Sequence, residues 1–368
     1  MTRGAPDVLV VGAGIFGLSV AWAASRRGLS VRVLEVEQVG AGASGGIVGA
    51  LTPHAPSRWR PMMAFQFEAL SHLPEHIARL EAETGCTTGY VRSGRVTPLV
   101  SQKARAAAER DVLAAPETWG NRARHEILES VPEAAHGWIR PEAAPFGLVR
   151  DTISARVDPR AYIMALAAGL GDAISGGVRV TGVSGDGVYA GAEFHPAGTV
   201  VLAAGWQVWD LVQPHLPDMA GQPVKGQSAL FRADAGDLPV IYQDGLYIVP
   251  HAGGRVAVGS TSEKVFGHAS DTDELLEDVI ARARVICPAL QQADVIERWA
   301  GLRPKPPGRE PVIGPLPDMP SVWLAAGGYK ISFGIAHAVA DAVVSGILRE
   351  TPDLPLPDSF DPARSGGR

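Results

Sequence analysis

The chain has 368 residues, 46% hydrophobic and 20% charged, with a net charge of −6. That length exceeds one core of ordinary size and points to about two domains of ~100–200 residues each, with the composition of a soluble globular protein. The acidic balance, without a run of lysines or arginines, argues against a phosphate-tracking nucleic-acid surface.

Two cysteines, Cys86 and Cys287, form no CxxC and no metal-ligand spacing, so they read as buried thiols in a reducing compartment. MTRGAPD is too short and too weakly basic for a secretory leader, and the apolar run after it is broken by glycines, so no membrane span is expected. The default location is the cytoplasm.

In chain order, strand signals stand at Val8–Val11, Ser30–Glu35, Gly94–Leu99, Val178–Val183, Thr199–Ala203, Leu246–Pro250, Arg255–Gly259 and Val322–Ala326. Helical patterns lie at Gly17–Arg27, Met62–Thr84, Lys103–Ala115, Arg160–Ala168, Glu274–Ile286 and Gly334–Leu348. Alternation at both ends predicts an α/β fold with a parallel, Rossmann-like sheet. In the middle, YIVPHAGGRVAVGSTS reads as a hairpin around Gly253-Gly254. A mixed or antiparallel sheet is therefore expected as an inserted domain. The expected division is 1–85, 156–223 and 299–368 for the first domain, and 86–155 and 224–298 for the second. The Pro- and Asp-rich tail from Pro352 is expected to be loose.

Gly12-Ala13-Gly14-Ile15-Phe16-Gly17 follows a strand and opens a helix. Gly12 permits a tight turn, Gly14 admits a pyrophosphate against the backbone, and Gly17 lets helix and strand pack closely. The helix N-terminus then faces the phosphates. Glu35 ends the next strand about 20 residues on, where a carboxylate takes ribose hydroxyls and repels a 2′-phosphate. By itself this unit serves NAD or FAD.

The following segment, GAGASGGIVGALTPHAP, is built of small residues that let backbone lie against a ring or a phosphate. Ala43, Ser44 and Gly46 belong to it, and Ser44 is suited to donate to a phosphate or to cap a helix. Coming after a ribose-binding Glu, GAGASGG resembles the D-amino-acid oxidase (DAO) family of FAD-dependent amine oxidoreductases. That family includes glycine oxidase, sarcosine oxidase and D-amino-acid dehydrogenases. Further stretches resemble its motifs in order: VTGV from Val180, TVVLAAGWQ with Ala204, Gly205 and Trp206, PVKGQ, YIVPHAGGRVAVGST, WAGLRPKPPGREPVIGP, and LAAGGYKISFGIAHAVAD with Gly327, Gly328, Lys330, Ile331 and Ser332.

The resemblance implies FAD over NAD and assigns these residues to the cofactor. Val312–Leu316 lacks the cysteine of covalent-flavin members, so the FAD is expected to be non-covalent. It also implies oxidation of a substrate C–N bond by hydride transfer to flavin N5, giving an imine and then an oxo acid. Positioning carries that chemistry, and no side-chain base is required. The substrate class is glycine, a D-amino acid, an N-methyl amino acid or another small amine.

Arg303, in GLRP, is suited to a bidentate grip on the substrate carboxylate and also borders the flavin. Tyr247 points to the same carboxylate in glycine-oxidase-like members. Lys330 is expected to contact flavin or substrate, where a cation stabilises the charge of a reduced flavin. His54, with Arg58 and Arg60, follows the small-residue segment as a pocket candidate, while His251 is expected to lie on the hairpin surface and His268 and His337 read as incidental. Trp206, Trp209, Trp299 and Trp323 read as core packing rather than as rings stacked on substrate. GYKIS stands where glycine oxidases resemble HFRNG, and lysine for arginine is not conservative there.

The electron acceptor is oxygen, as in an oxidase, or another acceptor, as in a dehydrogenase. A flavoenzyme acting on a modified tRNA base and a non-catalytic flavoprotein are the alternatives. Oligomers occur in the family and are allowed here.

Overall fold

The computed structural model of the protein describes residues 4–308 and 310–365. Its centre is a six-stranded sheet in the order Val312–Pro315, Val322–Ala326, Thr199–Leu202, Val8–Val11, Val31–Leu34, Ile174–Ser175. Every pairing is parallel except that of the edge strand Val312–Pro315. Val8–Val11 is buried on both faces, which explains why it reads as a continuous apolar run rather than an alternating one.

Helices α1 (Ile15–Arg26), α2 (Pro61–Thr84), α4 (Pro159–Leu170) and α7 (Ser332–Leu348) share one core with the inner face of this sheet. The opposite face is covered around the short helix α5 (Val208–Val212), whose Trp209 is buried. A three-stranded antiparallel sheet, Gly182–Ser184, Gly187–Ala190 and Glu193–Pro196, stands beside it. Of the expected strand Val178–Val183 only its end is strand.

The second large sheet has eight strands, in the order Val295–Lys305, Gln222–Arg232, Arg255–Gly259, Leu246–His251, Val240–Gln243, Arg95–Pro98, Leu148–Asp151, His125–Leu128. It is antiparallel apart from the parallel pair Val240–Gln243 with Arg95–Pro98. Helix α6 (Glu274–Ile286) covers one face and builds a separate core with it, while α3 (Gln102–Thr118) packs beside its outer strands. The hairpin at Gly253-Gly254 is present, with Val249 opposite Ala257 and both glycines at positive φ. Gln222–Arg232 and Val295–Lys305, each 11 residues, form the longest ladder, and residue 299 lies inside it.

Two expectations fail. His251 is buried rather than lying on the hairpin surface, its Nε2 bonded to the Ile47 carbonyl at 3.0 Å. The tail is anchored: Phe360 is fully buried and meets Phe65 edge-on at 5.5 Å, because its ring completes the core beside α2. No helix among the described residues is long and apolar enough to cross a membrane.

Candidate active site

A cavity of about 880 Å³ runs from the first glycine turn to the eight-stranded sheet. Its first part is backbone. Gly12 has φ +105°, and a Cβ there would lie 2.5 Å from the Ala203 carbonyl oxygen. Gly12, Gly14, Ile15 and Phe16 all line the cavity. Glu35 lines it too, its carboxylate accepting the Ala13 N–H at 2.7 Å and the Glu37 N–H at 3.0 Å. Gly17 does not line it. A Cβ on Gly17 would lie 2.0 Å from the Gly12 carbonyl oxygen, so this glycine serves helix–turn contact rather than direct cofactor contact.

Ala43, Ser44 and Gly46 form a second wall. Ser44 Oγ accepts the Ile15 N–H at 3.0 Å, so it caps α1 from 29 residues away and retains its own O–H as a donor. Val180 and the turn of Ala204, Gly205 and Trp206 close the side under the parallel sheet. At the far side stand Gly327, Gly328, Lys330, Ile331 and Ser332, leading into α7. A Cβ on Gly328 would lie 2.5 Å from the Phe16 ring, so the two turns touch.

The two helices that open onto this cavity, α1 of 12 residues and α7 of 17, carry no acid in the first turn. Two positive helix ends, glycine-lined backbone and one carboxylate fit a dinucleotide with a pyrophosphate, free ribose hydroxyls and an electron-rich ring. Neither cysteine lines the cavity. Cys287 is fully buried, and burial pushes its thiol up to about 12.

The remaining wall is made of side chains. Arg303 leaves its strand opposite Val224, and its guanidinium lies over Gly226, where a Cβ would be 1.8 Å from Nη2. Nη2 donates to Ser260 Oγ at 2.6 Å and Nη1 to the Thr261 carbonyl at 3.1 Å. These partners are neutral. Burial lowers the Arg303 pKa from its ordinary value, and Tyr329 and Glu263 offset part of that. Tyr247 lines the cavity with its hydroxyl 3.1 Å from Thr52 Oγ1 and its ring 4.7 Å from that of Tyr242, and burial raises its pKa. Arg95 lies 5.8 Å over the Tyr242 ring and 2.9 Å from the buried Asp151.

His54 does not line the cavity. Its Nδ1 bonds Gln66 Oε1, and Gln66 donates to the Thr52 carbonyl at 3.0 Å. Gln66 and Thr52 occupy the wall where His54 was expected, because the ring turns toward α2. Burial lowers the His54 pKa. Trp209 packs in the core as expected, but Trp206 and Trp299 border the cavity.

Tyr329 is a wall residue that sequence reasoning missed. It has φ +47°, a left-handed conformation unusual for a bulky side chain, and its hydroxyl lies 3.2 Å from Ser262 Oγ. Lys330 Nζ sits 5.5 Å over the Tyr329 ring, and burial lowers its pKa. Tyr329 thus joins the α7 turn to the Ser260–Ser262 segment. A tyrosine between two glycines and a lysine was the available signal.

Known proteins match this architecture. Glycine oxidase of Pseudomonas putida KT2440 is 31% identical over 90% of this chain and 92% of its own length. Glycine oxidase of Pseudomonas aeruginosa PAO1 is 29% identical over 90% and 92%. The crystal structure of glycine oxidase from Geobacillus kaustophilus superposes with a TM-score of 0.86 over 98% of both chains at 22% identity, a likeness of fold. The DAO family of FAD dependent oxidoreductases matches residues 7–344. The chain belongs to that family and is an FAD-dependent oxidoreductase.

Proposed function

We propose that this protein oxidises the C–N bond of a small amino acid or amine that carries a carboxylate. The observation that carries this reading is Arg303: a half-buried arginine on the cavity wall, its guanidinium aimed by a hydroxyl and a carbonyl and in no ion pair among the described residues. A planar fork held in this way suits a carboxylate. The relatives named glycine oxidase support the same substrate class.

Glu35 and the glycine turn hold the ADP half of FAD, and the turn before α7 with Lys330 holds the ring end. Bound FAD supplies a two-electron acceptor. Arg303 and Tyr247 anchor the carboxylate, which fixes the amine-bearing carbon in the cavity and excludes water from it. The substrate loses two electrons and two protons, its C–N bond becomes C=N, and water hydrolyses the imine to an oxo acid and ammonia, or to an oxo acid and an alkylamine from an N-substituted substrate. The eight-stranded sheet acts as the substrate domain, since Tyr247 and Arg303 both arise from it.

The test is anaerobic mixing of the holoenzyme with small L-, D- and N-methyl amino acids while the flavin band is followed. Bleaching by at least one carboxylate-bearing amine is expected. Bleaching by none sinks the proposal. Admitting air then separates oxidase from dehydrogenase by the rate of recovery.

A further inference from the structure

Behind Arg303 lies a cluster that C–N oxidation does not itself require, with Lys225 and Gln227 buried, Glu263 half-buried and Asp273 at the surface. Lys225 and Gln227, in PVKGQ, are 2% and 0% exposed. They stand two apart on the strand Gln222–Arg232 and so face the same side. Lys225 Nζ is 2.9 Å from Asp273 Oδ2 and 3.6 Å from Glu263 Oε2. Gln227 Nε2 donates to Asp273 Oδ1 at 2.6 Å and to Glu263 Oε1 at 3.0 Å, and its Oε1 accepts the Asp273 N–H at 2.8 Å. Lys225 and Glu263 also exchange both backbone hydrogen bonds at 2.9 Å.

Glu263 and Asp273 are the two ends of one irregular loop. Its ends are close and its middle, Ala269 and Ser270, borders the cavity, which is the form of an Ω-loop. Asp273 closes the loop by also capping α6, accepting the Leu275 N–H at 3.1 Å. The near end continues into the groups that aim the arginine. Thr261 Oγ1 donates to Glu263 Oε1 and accepts the Gln227 N–H at 2.8 Å, while the Thr261 carbonyl and Ser260 Oγ hold Arg303.

We propose that Lys225 and Gln227 are positioning residues: they clasp both ends of the 263–273 loop and so hold Ser260 and Thr261 where these orient Arg303 toward a substrate carboxylate. The proposal rests on the carboxylate-binding reading of Arg303. Physically, two carboxylates are brought together at the loop base, and the lysine charge and the glutamine amide offset their repulsion, with the Thr261 hydroxyl on Glu263 and the Leu275 N–H on Asp273 adding to them. Losing either lets the ends part, and Thr261 moves with Glu263.

The test uses the FAD-loaded enzyme with acetate as a simple carboxylate, its binding read from the flavin spectrum. Lys225→Met and Gln227→Met are expected to weaken acetate and raise the KM of the amino-acid substrate by about 10-fold, with kcat changed much less. Flavin content stays as in the wild type. Trypsin is expected to cut faster after Lys264, which lies exposed on the clasped loop. Lys225→Arg, which keeps the charge, restores acetate binding. Should Lys225→Met not fold, Gln227→Met alone decides.

Acetate binding lost in Arg303→Ala but unchanged in the folded clasp variants overturns the clasp alone. Acetate binding unchanged in Arg303→Ala overturns the carboxylate reading itself, and the orienting role with it.

Discussion

The two ends of the cavity are made of different material. At the glycine turn, the wall is mostly backbone: a Cβ on Gly12 would lie 2.5 Å from the Ala203 carbonyl oxygen, and one on Gly14 3.2 Å from Ser44 Oγ. At the other end, contact is made by side chains from four separate stretches, with Thr52, Tyr247, Arg303 and Tyr329 meeting across the cavity. A backbone site tolerates no added atoms but asks little of residue chemistry. A side-chain site depends on a few functional groups and on the partners that aim them.

The largest effect is therefore expected at the backbone end. Gly17→Ala places a Cβ 2.0 Å from the Gly12 oxygen, and a loss of more than ~4 kcal/mol is expected. Purified protein should then carry no flavin by absorbance. A stable, yellow Gly17→Ala protein would show that the turn can yield, and would erase the contrast.

At the side-chain end, Arg303→Ala is expected to keep FAD and to lose about 2–5 kcal/mol in kcat/KM for a carboxylate substrate. Steady-state kinetics beside a flavin-to-protein ratio check both halves of that statement. Loss of flavin with turnover would mean that the two ends are not separable.

Between the ends runs α7, whose His337 ring lies 5.0 Å from that of His76 on α2. Burial pushes His76 down to about 3 and His337 well below its usual range. Both are neutral in the folded protein and become protonated when it unfolds. The unfolded state thus binds more protons below pH about 6.5, and stability falls as pH drops from there toward about 3. Each histidine contributes up to about 1.4 kcal/mol per pH unit in that window. Urea midpoints at pH 7.5 and 5.5 should differ in that direction, and a His76→Gln, His337→Gln pair should shrink the difference, leaving the part owed to His54, His125 and His251, which burial also lowers.

The smallest effect is expected from a single hydroxyl. Tyr247→Phe removes the bond to Thr52, and a loss of about 1 kcal/mol in kcat/KM is expected with flavin binding unchanged. A loss as large as that of Arg303→Ala would place the tyrosine in the chemistry rather than in positioning.

The fold was legible where local pattern is strong. Val8–Val11, Arg255–Gly259 and Glu274–Ile286 stand where apolar period and turn residues put them. The ladder of Gln222–Arg232 with Val295–Lys305 was not legible, because QPVKGQSALFR and VIERWAGLRPK alternate poorly and include prolines and glycines. Their pairing is decided by each other. His54 was misplaced for a related reason: whether a loop histidine faces the cavity depends on Gln66, which α2 brings beside it.

From the sequence alone came the glycine turn, the carboxylate of Glu35 beside it and the candidates Arg303, Tyr247 and Lys330. A glycine turn between a strand and a helix is constrained by its own few residues, so its geometry travels with its letters. Only the tertiary structure decided how Arg303 is held. Its room is made by Gly226, its aim by Ser260 and Thr261, and their footing by Lys225, Gln227, Glu263 and Asp273. Those contacts join residues far apart in the chain, and no local pattern specifies them.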